Sequence, residues 1–157
     1  MSMSPTLQKL VRELAALGRD AETWAYDGGP PPCLTCPSKH PEVGPLHVYD
    51  DGDELTVCLH EKHHSHIAAA SYLQNPESVR LHLVALEAAR LVNDILLDRV
   101  LFTVNFLGTR CLGSSHVLVG DDLQGSESRR AVIGLCGGNI RSKRYLWSGP
   151  FEQCDEA

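Results

Sequence analysis

From Asp51 to His60 the chain reads DGDELTVCLH, and this stretch restricts the fold more than any other. Asp51-Gly52 favours the left-handed backbone of a tight turn. Beyond it Leu55, Val57 and Leu59 alternate with Thr56, Cys58 and His60. A period of two is that of a strand with one apolar and one polar face, and with LHVY before the turn it predicts an antiparallel hairpin. Two helical stripes can cover the apolar face. Leu7, Leu10, Val11, Leu14 and Leu17 recur at steps of three and four, so a first helix is expected from about Pro5 to Leu17, with Gly18 as its stop. So short a helix is marginal alone and must lie on the rest of the fold. Asn75-Pro76-Glu77 opens a longer helix: Asn as cap, Pro in the turn that needs no N–H, Glu at the positive end. Val84, Ala88, Leu91, Val92, Ile95 and Leu96 form its expected buried stripe.

The histidine run HEKHHSHI, after a turn near Glu61-Lys62, reads as a third strand. VLFTVNFLGTRCLGSSHVLV reads as two more joined around Gly108-Thr109, with Val100, Phe102, Val104 and Phe106 on one face. A polar loop is expected from Gly120 to Arg130 and a last strand from Asn139 to Trp147. DGGPPPCLTCPSKHPEVGP carries the Gly and Pro that break helix and central strand alike, so residues 19–45 are expected to be an irregular loop. With 157 residues, the order of elements predicts a single α+β domain: an antiparallel sheet with the long helix and the N-terminal helix packed on it.

A net charge of −6, with basic clusters only at Arg129-Arg130 and Arg141 to Arg144, argues against a nucleic-acid-binding surface, which needs a concentrated basic stripe. No stretch reaches the roughly 18–20 apolar residues of a membrane span. LQKLVRELAALGRD is interrupted by Lys9, Arg12 and Glu13 and fails as an export signal. The expected location is the cytoplasm, where cysteines stay as free thiols by default.

HEKHHSHI holds four of the eight histidines. On a strand His64 and His66 point to one side about 6–7 Å apart, a separation two ligands of one zinc can meet, and His63 points to the other. Cys33-Leu34-Thr35-Cys36 has the gap that lets two thiolates reach one zinc. A combined site of Cys33, Cys36, His64 and His66 is therefore the zinc alternative, against a default of loop thiols, a polar strand face and no cofactor. A redox dithiol at this pair would need a strand-to-helix junction rather than a run of prolines. GSSH at Gly113 to His116 lacks the nucleophile elbow of a serine hydrolase, and LCGGN lacks the Lys-Ser/Thr of a phosphate loop. The acids from Asp50 to Glu54 lack the alternating ligands of a calcium loop.

Three segments together resemble a group of small bacterial proteins regarded as immunity proteins of polymorphic toxin systems. They are DGDELTVCLHEKHHSHI with its H-x-H, VNDILLDRVLFTVNFLGTR with a helix running into a hairpin, and IRSKRYLWSGPFE with its closing Trp-Ser-Gly. Where that group more often has an aromatic after the second histidine, this chain has Ile67. The resemblance implies a non-catalytic α+β protein that binds a cognate toxin and covers or distorts its active site. Such a protein needs an anchor and a complementary rim. The expected partner-binding residues are Asp51, Asp53 and Glu54 at the acidic turn and the aromatics Tyr145, Trp147 and Phe151, unless Tyr145 and Trp147 complete the core. The opposing hypothesis is a zinc-binding module or zinc-dependent enzyme on the cysteine and histidine cluster. A third is a pH response of clustered histidines.

Overall fold

The structure, a computed structural model, describes residues 2–60, 62–119 and 140–151. Helix α1 spans Pro5–Ala16. Ser4 caps it, accepting a hydrogen bond from the Leu7 amide at 3.2 Å and donating one to Asp50. Asp50 also accepts from the Gly52 amide at 2.9 Å, so the helix start is tied to the turn read from the sequence. Leu7, Leu10 and Leu14 are fully buried, as their spacing predicts.

Five strands then form an antiparallel meander: β1 (Ala25–Asp27), β2 (Cys33–Cys36), β3 (Leu46–Asp50), β4 (Glu54–Leu59) and β5 (His63–Ala68). The expected hairpin is β3–β4, with Val48 opposite Val57, and the strand expected from the histidine run is β5. Residues 19–45 are not an irregular loop throughout, because β1 and β2 lie within them. Cys33–Cys36 contains neither Gly nor Pro; Pro32 and Pro37 flank it, so all four residues can enter the ladder between β1 and β3.

Helix α2 spans Glu77–Leu96. Its cap position is Pro76 rather than the expected Asn75, whose carbonyl instead accepts from Arg80 Nε at 3.0 Å. Ala85 and Ala89 join Val84, Ala88, Val92 and Ile95 in the buried stripe, while Leu91 and Leu96 are half-buried at its border. Small residues at 85 and 89 let α2 approach α1 and the core face of β4 and β5 closely.

A second antiparallel sheet, ordered β7-β6-β8-β9, is built from β6 (Val100–Leu107), β7 (Arg110–Leu118), β8 (Ile140–Leu146) and β9 (Gly149–Pro150). The single sheet expected from the sequence is thus two. Strand β6 is hydrogen-bonded on both sides within its own sheet, and β5 meets β7 through side chains instead of a ladder. Val100 to Val104 are all buried, and one core takes residues from both sheets and both helices. Strand β8 takes the position of the expected last strand, with β9 added after it, but the polar loop from Gly120 to Arg130 and the LCGGN stretch lie outside the described residues. Among the described residues no helix is long and apolar enough to cross a membrane.

Candidate functional site

Strand pairing arranges the polar face of the first sheet in two rows. Thr35, His47, Cys58 and His64 form one, and Cys33, Tyr49, Thr56 and His66 the next. His64 and His66 share this face as their spacing predicts, with ring centroids 5.0 Å apart and edge-to-face. His66 hydrogen-bonds Glu54 and lies 3.2 Å from Thr56 Oγ1. Cys33 is on the same face, three strands away, with its sulfur 3.9 Å from His47 Nδ1. Cys36 is not. Three positions along a strand reverse the side-chain direction, so Cys36 enters the core while Cys33 lies on the other face of the sheet, where it too is buried. The Cys33/Cys36 ligand pair was an expectation for a loop, and the strand takes the two thiols apart. Burial pushes both thiols up, Cys36 to about 11. Among the described residues, no group of three or more His, Cys, Asp or Glu side chains is placed to hold a metal ion.

The core face of β5 carries a group the sequence did not assemble. His63 and Ser65, two apart, meet Ser114 and His116, two apart on β7. His63 Nδ1 is 2.9 Å from Ser114 Oγ, and its Nε2 is 2.7 Å from His116 Nδ1 and 3.1 Å from Ser65 Oγ. Phe102 of β6 lies beneath both rings, at 5.5 Å and 6.1 Å between centroids. Burial pulls His63 down to about 4, reinforced by the neighbouring His116 and His64, and burial also lowers His116. Both imidazoles are therefore neutral near pH 7, each able to donate at one nitrogen and accept at the other. The GSSH motif supplied half of this group, and the odd parity of His63 on the strand was the signal that it left the His64/His66 face.

The expected partner residues divide. Tyr145 and Trp147 are each only 4 % exposed and belong to the core, which corrects their assignment as interface anchors. Lys62 Nζ sits 4.8 Å from the Tyr145 ring centroid, covering its edge of the core. Phe151 is half-buried in a recess with Glu42, Lys143 and Pro150. Asp51 and Asp53 are exposed at the β3–β4 turn, and Glu54 is half-buried beside them. Thr56 Oγ1 lies 3.2 Å from carboxylate oxygens of both Asp51 and Glu54 and can donate its one hydrogen to either. Next to this turn runs an open groove lined by Asp53, Glu54, Ala69, Leu73, Glu77 and Arg80. Leu73 is 66 % exposed there, and Arg80 turns back to the carbonyls of Asn75 and Leu73. Leu73 was missed because a lone Leu before Gln74-Asn75 has no periodic partner. Compared with known protein families, curated proteins and solved structures, the chain matches none.

Proposed function

We propose that this chain is a binding protein of the immunity type, which docks a basic face of a toxin domain onto the acidic β3–β4 turn and the groove beside it. The observation that carries the reading is Leu73, two-thirds exposed among Asp53, Glu54 and Glu77. A large apolar side chain beside three carboxylates, with the arginine of the same groove, Arg80, turned back onto the Asn75 and Leu73 carbonyls, is the arrangement of an anchor within a predominantly acidic rim. Covering Leu73 contributes about 1–2 kcal/mol of apolar burial, and the surrounding acids select a cationic partner and speed its approach. The net charge of −6 acts in the same direction. The three segments that resemble immunity proteins include this turn, which supports a toxin as the partner class.

The test is co-expression with a toxin-like gene encoded beside this one. The chain is expected to restore growth and to bind the purified toxin domain. Asp53→Lys combined with Leu73→Asp is expected to weaken binding by about tenfold or more while leaving thermal stability close to the parent. Growth arrest that the intact chain does not relieve, or full protection by the double variant, overturns the proposal.

A further inference from the structure

We infer that His63, His116 and Ser65 form a transition-metal site at the seam between the two sheets, suited to one exchangeable zinc-class divalent ion. His63 Nε2, His116 Nδ1 and Ser65 Oγ make a triangle with edges of 2.7, 3.1 and 3.5 Å. Donors held at about 2.0–2.1 Å by one tetrahedral cation lie about 3.3–3.4 Å from one another. The largest adjustment is between the two imidazoles, which must part by about 0.6 Å, a small rotation of two side chains.

The surroundings match what such a site requires. Ligating imidazoles usually donate their other N–H to a fixed acceptor, which aims the remaining lone pair at the metal. Ser114 Oγ stands 2.9 Å from His63 Nδ1 and can accept that bond. Of the two facing nitrogens, His63 Nε2 and His116 Nδ1, whichever carries the hydrogen passes it through solvent to the other nitrogen of its own ring when the ion enters. The imidazoles stay neutral and no net proton is released. Phe102 supplies an apolar floor that limits how the rings can turn away. The third donor is a hydroxyl, weaker than a thiolate, imidazole or carboxylate, which makes the ion exchangeable and leaves its remaining coordination to solvent. The ligands come from β5 and β7, so a bound ion would join the two sheets where no backbone ladder does. This site is separate from His64 and His66, which project from the opposite face of β5.

The experiment is titration of the chelator-stripped full chain with zinc chloride, followed by calorimetry, by thermal unfolding and by NMR of the histidine ring nitrogens. One zinc per chain is expected, with shifts at His63 and His116 and a higher Tm. His116→Ala, at the exposed end of the cluster, is expected to lower the affinity at least tenfold and to abolish the Tm rise; His63→Gln should do the same if it folds. The double variant His64→Ala/His66→Ala is expected to bind like the parent. Absence of saturable uptake, or loss of binding in the His64/His66 variant with retention in His116→Ala, overturns the inference. Neither outcome bears on the toxin-binding test, which reads a different surface.

Discussion

At Gly44 the backbone takes φ +82°, and a Cβ built there would lie 2.6 Å from the side chain of His60, itself held at φ +46°. Two left-handed residues pack face to face at the entry to β3 and the exit from β4, and only glycine fits the first position. Gly44→Ala is expected to destabilise the protein by about 1–3 kcal/mol in urea unfolding, part of which a His60→Gly background should restore. An equal loss in both backgrounds would show that the close approach is unimportant. Direction along a strand is also a residue-scale matter, and it was legible: alternation alone puts His64 and His66 on one side and His63 on the other. The partners of His63 were not legible, because Ser114 and His116 lie some fifty positions away and no local period connects them.

Elements whose apolar period is long and uninterrupted follow their predicted bounds. Helix α1 and the β3–β4 hairpin are set by side-chain spacing and one turn, both local properties. Leu10→Ala in α1 removes a fully buried side chain and is expected to cost about 2–5 kcal/mol, measured by chemical denaturation. Leu73→Ala, mostly in solvent already, should change stability by no more than about 0.5 kcal/mol. If Leu10→Ala is tolerated as easily as Leu73→Ala, the assignment of the core face is wrong. Strand β2 defied its surroundings because four residues are too few to show a period, and its prolines, read as breakers, are its boundaries. The geometry of the C-x-x-C changes with it, since the same four residues that bring thiols together in a loop point them to opposite faces of a strand.

Over the whole molecule, His47, His63 and His116 all have proton affinities lowered first by burial. The unfolded chain therefore takes up protons before the folded one as the pH falls. Their contribution is complete above an unfolded value of about 6.5 and is lost towards the folded value, about 4 for His63. In the presence of a chelator, stability is expected to drop between pH 7.5 and 5, with His63 accounting for about 1–2 kcal/mol once solvent screening of this half-buried ring is allowed for. His63→Gln should flatten that part of the profile. A parent profile that is level over this interval, or one the substitution leaves unchanged, contradicts the account.

The class of the fold was present in the sequence by itself, because helical and strand periods are local and their order excludes most other architectures. The acidic turn was equally plain, since Asp51-Gly52 and its neighbouring carboxylates are contiguous. Only the tertiary structure decided that β6 keeps its own pair of neighbours and so makes two sheets instead of one. It also drew Tyr145 and Trp147 inward, left Leu73 outside, and set His63 against His116. Each of these depends on which strand edges and helix faces meet across long sequence separations, where many pairings satisfy the same local pattern and packing around one shared core selects among them.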